Sequence, residues 1–182
     1  MATSLFKMPF DIEKTKITPI YRSKELDKAT VKTITCDEME QIYGELSFGE
    51  LHEDRPYTYT SLVTSLDGRI AFTDAPQGPL IAKLNKCDPD GAGADWWILN
   101  MLRAVSDGDI IGAGTMNAER DYTAHVFSKQ LEDARVAAGM PPVPWNIISS
   151  LDATDIPFAF MLFPDFKLCN SGGESLQRKN KR

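Results

Sequence analysis

Two apolar runs, with a long crossover between them, limit the folds open to this sequence more than any other feature. The first run, 57–64, alternates β-branched and aromatic residues, and the second, 109–113, is shorter and apolar. Both predict β-strands, because such side chains pack well on a pleated sheet. A largely apolar stretch, Asp95–Val105, lies between them and predicts a helix. Strand, helix and strand in this order predict a parallel, right-handed unit and therefore an α/β fold.

Small and hydroxyl-bearing residues follow each run. The first run continues into 65–68 (SLDG), and the second leads into 112–115 (GAGT). Glycines and hydroxyls at strand ends are typical of clefts for phosphate-bearing ligands in α/β proteins. We therefore predict that the two ends are neighbours and form one site. Each motif also has a purely structural interpretation, since Asp67-Gly68 is a common turn pair and 112–115 can be a strand end with a helix cap.

The 182-residue length predicts one domain with an appended arm. Residues 1–54 form the predicted arm, whose one helix covers Asp37–Leu46 with its first residue as cap and Glu40 closing a capping box. Residues 55–182 form the predicted domain, and a hydrophobic fraction of 42% with nine phenylalanines can bury a core. The arm and the pair Trp96-Trp97 favour a homodimer, because one small domain does not readily cover both.

The composition also argues against several classes of function. The net charge of −6 and the pI near 5.0 argue against a general nucleic-acid surface. No apolar run approaches the roughly 20 residues that span a bilayer, and the N-terminus lacks the apolar stretch of a signal peptide. Three widely spaced cysteines without a CxxC fit a reduced, cytoplasmic protein. With two histidines in the chain, we predict no metal site.

The second half of the sequence predicts three further elements. A helix is expected at 128–138, where Gly139 ends it and the following prolines bar its continuation. A strand ending in two serines is expected at 145–150, and another at 158–163. The basic, polar residues after 170 are expected to form a frayed tail.

These motifs, in this order, carry a family resemblance. The sequence RPYTYTSLVTSLDGRIA, then LRAVSDGDIIGAGTMNAE, then a strand ending in serines resembles the reductase domain of riboflavin biosynthesis over about residues 55–150. The resemblance implies a dihydrofolate-reductase-like fold, with a mostly parallel sheet flanked by helices in three layers. It also implies an NADPH-dependent oxidoreductase that reduces the ribosyl group of 5-amino-6-(5-phosphoribosylamino)uracil by hydride transfer.

The resemblance implies a role for each matching residue. Asp67 is the candidate catalytic, proton-handling group, and Ser65 and Arg103 are candidate substrate ligands. Arg103 can instead form an ordinary ion pair with Asp107 within its helix. The implied cofactor-binding residues are Val63, Gly68, Gly112, Gly114, Thr115, Glu119 and Ser150.

The sequence also departs from that family. Glu119 stands where the riboflavin enzymes usually carry aspartate, and Val126 falls near a position that often holds a phosphate-binding arginine. The family continues into a Glu-Gly-Gly turn over the cofactor phosphates, whereas residues 171–174 read Ser-Gly-Gly-Glu, so the chain is expected to be truncated relative to it. Two alternatives therefore stay open: a non-catalytic nucleotide-binding or dimerising relative, and a pterin or folate reductase.

Overall fold

The N-terminal arm contains short elements that pack around one helix. The computed structural model describes residues 5–15, 17–119 and 122–156, together with two short paired strands, β5 (Leu168–Cys169) and β6 (Ser175–Leu176). In the arm, a 3-10 helix at Lys24–Lys28 precedes β1 (Val31–Lys32), α1 (Asp37–Ile42) and β2 (Ser47–Phe48). Strands β1 and β2 pair antiparallel around α1.

Helix α1 confirms the helix predicted in the arm but not its capping. Its N-cap is Cys36, with no side-chain hydrogen bond, so the predicted cap at Asp37 is wrong. The Glu40 carboxylate accepts a hydrogen bond from Thr35 Oγ1 at 3.2 Å and does not close a capping box. The helix ends before Gly44, whose φ of 95° lies in the left-handed region that glycine adopts without strain.

The strand predicted at 57–64 is absent from the structure, where this segment has no regular secondary structure. The side chain of Tyr59 holds this segment in place instead. Its hydroxyl donates to Leu102 O at 2.8 Å and pairs with Ser106 Oγ, while its ring stacks on Phe48 at 5.3 Å. A strand needs a neighbouring backbone for its ladder of hydrogen bonds. This segment is instead held by side-chain contacts, among them those with a helix end.

The central helix is longer than the sequence pattern indicates. After the short α2 (Leu80–Lys83), α3 covers Pro89–Val105, so the prediction that it begins at Asp95 is wrong. Asp88 is the N-cap, and its Oδ1 accepts from Gly91 N at 3.0 Å. A capping aspartate followed by proline at the first helical position stabilises a helix start enough to offset the two glycines of the first turns.

A parallel strand pair forms the largest sheet in the described part of the chain. Strands β3 (Gly108–Gly112) and β4 (Trp145–Ser149) pair with Ile110 opposite Ile147. The helices α4 (Ala113–Ala118) and α5 (Lys129–Ala137) connect them. This confirms the strands predicted at 109–113 and 145–150 and the helix predicted at 128–138. The parallel partner of β3 is β4, and not the segment 57–64.

The architecture is a mixture of helices and small sheets, and is α/β in that sense. The described residues form three two-stranded sheets, so a mostly parallel, three-layer arrangement stays a prediction. The strand predicted at 158–163 and the residues 171–174 lie outside the described residues.

The core lies between α3 and the helices on either side of it, α1 and α5. Glu38 of α1 is buried, and its carboxylate accepts from Trp97 Nε1 at 2.7 Å and from Ser128 Oγ at 3.0 Å, which joins all three helices. The buried apolar cluster around this contact consists of Met39, Ile42, Trp97, Met101, Ala104, Val126 and Leu131. The arm therefore contributes side chains to the same core as the rest of the chain.

Candidate functional site

Four of the predicted cofactor-binding residues lie near the carboxyl end of the β3–β4 pair. Gly112 ends β3 opposite Ser149 of β4, and Ser150 follows directly. Asn117 of α4 donates to Asp155 O at 2.7 Å, and Ser150 Oγ donates to the Asp155 carboxylate at 2.5 Å. These bonds hold α4, with Gly114 and Thr115, against the loop that follows β4.

The glycines at this edge are not required by the fold. Gly112 is the N-cap of α4, with an ordinary φ of −77°, and Gly114 lies inside that helix. A Cβ at either position would meet no atom within 4 Å. Glycine inside a helix costs about 1 kcal/mol relative to alanine. A closely approaching ligand would use the open space beside a glycine that the fold does not require. The open space therefore favours the functional interpretation of 112–115.

A separate cleft contains three other predicted residues. It has a volume of about 700 Å³ and lies between the loop at 63–72, α2 and the first turns of α3. Val63, Ser65 and Asp67 line one wall, and apolar side chains such as Ile81 and Leu84 line the opposite side. The turn at Gly68 has a φ of 80°, which confirms the tight bend expected there.

Two carboxylates line this cleft in contrasting environments. Asp67 is exposed, and hydrogen bonds from Ser65 Oγ and then from Arg69 Nε, at 2.9 Å, lower its pKa. Asp95 lies on the α3 wall, and burial raises its pKa. Carboxylates whose pKa values are pushed apart can divide the roles of proton acceptor and proton donor. Sequence reasoning missed Asp95 because it stood at the predicted start of the helix, although an aspartate beside Trp96 was the available signal.

Arg103 lies neither at the carboxyl end of the β3–β4 pair nor in the cleft. Its side chain is 3% exposed. Nε donates to Asp109 Oδ2 at 3.1 Å and Nη2 to the Tyr122 hydroxyl at 2.7 Å. Its predicted intrahelical partner Asp107 is thus replaced by Asp109 on β3. The guanidinium also lies 5.7 Å from the centre of the Trp96 ring. Nη1 is buried without a hydrogen-bond partner in the described part of the chain.

Tyr122 completes this cluster. Its hydroxyl donates to Asp109 Oδ2 at 3.0 Å, and burial raises its pKa to about 12. The phenol is therefore protonated at neutral pH and able to donate. The tyrosine and the carboxylate together satisfy two of the arginine's nitrogens, so a phosphate that took their places would have to displace both.

Glu119 connects the two regions. Its carboxylate approaches Gly78, just before α2, so closely that a Cβ on that glycine would lie 4.0 Å from Oε1. Burial raises the pKa of Glu119, while the Gly78 backbone N–H and the nearby Lys83 and Arg103 act in the opposite direction. The cleft itself is lined by residues between Val63 and Asp95. Its lining includes 65–67 and no residue of 112–119, so this cleft alone does not unite the two predicted halves of the site.

Comparison of the chain with protein-family models, with curated proteins and with solved structures finds no match. Among the described helices, none is long and apolar enough to cross a bilayer. No cluster of three or more potential metal-ligating side chains occurs within the described residues.

Proposed function

We propose that this chain is an NADPH-dependent reductase that resembles 5-amino-6-(5-phosphoribosylamino)uracil reductase of riboflavin biosynthesis. The single observation that carries the proposal is the carboxyl edge of the β3–β4 pair. There Gly112, Gly114, Thr115 and Ser150 come together, and the two glycines leave open space that the fold does not need. In open α/β sheets, nucleotides bind outside the carboxyl ends of parallel strands.

In this proposal the residues at the edge bind the cofactor. The backbone at Gly112 and Gly114 allows close approach of the dinucleotide, and the Thr115 and Ser150 hydroxyls supply hydrogen bonds. NADPH supplies the hydride, so the protein aligns the reacting groups and excludes water. Val63 and Gly68 keep their proposed cofactor contacts only if the 63–72 loop moves toward the edge, which makes closure of this loop part of the proposal.

The cleft is the proposed substrate pocket. Ser65 offers a hydroxyl to the substrate, and Asp67 is the proposed proton-handling group of the cleft. Asp95 faces the same cleft and, with its raised pKa, is the better proton donor of the pair. Arg103 binds the substrate phosphate in this scheme by exchanging its bonds to Asp109 and Tyr122.

Fluorescence titration with NADPH tests the proposal, with a matched pair of glycine variants. Gly114→Leu places bulk at the proposed binding edge, whereas Gly93→Leu places the same bulk in α3, where a Cβ also meets nothing within 4 Å. We expect saturable binding below millimolar cofactor for the parent chain and for Gly93→Leu, and at least about tenfold weaker binding for Gly114→Leu. No saturable binding by the parent chain would reject the proposal.

A non-catalytic nucleotide-binding or dimerising relative is the second candidate. The observation that favours it is the pairing of buried Arg103 with Asp109 and Tyr122, which suits a scaffold better than a phosphate site. Turnover of the phosphoribosylaminouracil with consumption of NADPH would exclude this candidate. Dihydrofolate as a competing substrate separates the pterin or folate reductase alternative from the riboflavin-type enzyme.

A reductase that uses NADPH fits the reducing cytoplasm, where we place this protein.

A further inference from the structure

The first described residues of the chain, 5–10, lie along the segment 124–127, and we name them the N-terminal strap. Met8 N donates to Phe127 O at 3.2 Å, and Trp96 Nε1 contacts Met8 Sδ at 3.3 Å. Lys7 Nζ donates to Val126 O at 2.5 Å and forms an ion pair with Glu132 of α5. These contacts join the strap to α3, to α5 and to the segment between β3 and α5.

His125 lies at the centre of this contact. The histidine is 4% exposed, and its ring centre is 3.9 Å from that of Phe127. Its Nε2 is 2.8 Å from Phe6 O, and its Nδ1 is 2.8 Å from Thr123 Oγ1. A carbonyl only accepts, so Nε2 carries the proton, and in the neutral ring Nδ1 accepts from the threonine hydroxyl. Both ring nitrogens of a neutral imidazole are therefore satisfied, one of them by the strap.

The charges around the imidazole oppose a second proton. Lys7 comes from the strap and Arg103 from α3, and both are cationic, while among the described residues Glu132 from α5 is the carboxylate that acts on the ring. Burial is the largest influence and lowers the pKa of His125, and the two cations act in the same direction. The Phe6 carbonyl and Glu132 act in the opposite direction. Lys7 and Glu132 are paired with each other and act on the ring in opposite directions, so burial remains the main influence against the charged form.

We propose that the N-terminal strap is a pH-operated latch: neutral His125 holds it on the segment 124–127, and protonated His125 releases it. Release separates Phe6 and Met8 from Phe127 and Trp96 and exposes an aromatic surface. The latch does not rest on the reductase proposal, because the contacts of Phe6, Lys7 and Met8 involve neither the β3–β4 edge nor the cleft.

The direction of the pH dependence follows from linkage. In the released state the ring is exposed and has the ordinary histidine pKa of 6.5, and the docked state has a lower one. The released state therefore binds more protons between these two values. Docking is fully present above about pH 6.5 and weakens as the pH falls toward the docked-state pKa, by at most about tenfold per pH unit for one proton.

Amide hydrogen exchange, corrected for the intrinsic pH dependence of the exchange rate, tests the latch. The reporters are Met8 N–H, which the strap contact protects, and Met101 N–H inside α3. Between pH 7.5 and pH 5, we expect Met8 protection to fall by up to about tenfold per unit below pH 6.5 while Met101 protection stays constant. Unchanged Met8 protection, or an equal loss at both amides, would overturn the proposal.

Variants at the chain's two histidines supply the matched comparison. His125→Gln keeps an amide donor near Phe6 O but cannot titrate, so its Met8 protection is expected to be independent of pH. His52→Gln removes the other histidine, which is exposed and pairs with Arg55, and should keep the parent profile. A pH profile that followed His52 instead of His125 would contradict the latch.

Thr123→Val gives a second variant that does not remove the imidazole. The protonated ring needs an acceptor at Nδ1, and the Thr123 hydroxyl is the one in place. Without it the charged form of the docked ring is less stable and its pKa falls further, so the loss of Met8 protection still begins near pH 6.5 but continues to lower pH and becomes larger. A smaller loss, or an unchanged one, would show that protonation at this ring does not control the strap.

Discussion

Arg135 shows how one residue can hold several elements in place. Its side chain is completely buried, and Nη1 donates to Ala104 O at 3.0 Å and also to Ser106 O, while Nε donates to Pro141 O at 2.5 Å. The last carbonyls of α3 have no N–H partners within the helix, and this guanidinium donates hydrogen bonds to them. Burial lowers the pKa of Arg135, but a guanidinium stays protonated across the accessible pH range.

Replacement of Arg135 by methionine should destabilise the fold. The variant keeps most of the side-chain volume but leaves the carbonyls at the end of α3 buried without donors, so we expect a loss of about 3 kcal/mol in unfolding free energy. Lys129→Met on the same helix is the control, because Lys129 is exposed and pairs only with Asp133, and we expect a change below about 0.5 kcal/mol. Urea unfolding of both variants measures the difference, and equal stabilities would refute the clamp role.

At the scale of the element, Asp88 determines where α3 begins, because it is the N-cap of that helix. Asp88→Ala removes the acceptor for Gly91 N–H and should lower the unfolding free energy by about 1 kcal/mol. Asp90→Ala is the control, since Asp90 lies in the first turn and contributes through the helix dipole alone, roughly 0.3 kcal/mol for an exposed group. Thermal unfolding of the two variants measures both effects, and a larger loss for Asp90→Ala would contradict the assigned cap.

Elements with their own local signals could be predicted from the sequence. Helix α5 has Ser128 as its cap, with its hydroxyl accepting from Leu131 N, and Gly139 with a φ of 82° just beyond its end. Strands β3 and β4 are short apolar runs between turn residues. These signals lie within a few residues of the element that they define, so a sequence displays them directly.

Features that depend on tertiary partners could not be predicted in this way. The segment 57–64 has strong strand propensity, yet its tyrosine bonds the end of α3, and propensity alone does not supply a neighbouring strand. Arg103 pairs with Asp109 and not with Asp107, and His125 is buried with its Nε2 bonded to the carbonyl of Phe6, which is distant in the sequence. The β3–β4 edge was predicted in part, since Gly112 and Ser150 were both chosen, although the partner strand was assigned incorrectly.

At the scale of the molecule, one face of the β3–β4 pair is open in the described structure. Gly108, Ile110 and Gly112 share this face with Trp145, Ile147 and Ser149, and none of them is charged. Trp145 is 74% exposed, Ile110 63% and Ile147 47%. Parallel sheets are normally covered on both faces. A second copy of the chain could cover this one, because two chains of net charge −6 repel least where no charges meet.

The homodimer predicted from the sequence can therefore be tested at this face. We expect light scattering to give twice the 20.3 kDa chain mass for the parent protein. Ile147→Asp places a charge in the middle of the face and should shift the protein toward the monomer by at least about tenfold in dissociation constant, since unpaired charge is costly in an apolar contact. Val136→Asp is the control, because Val136 on α5 is similarly exposed, at 49%, but lies outside the sheet. A parent protein of monomer mass would refute the homodimer, and dissociation by both variants alike would place the interface elsewhere.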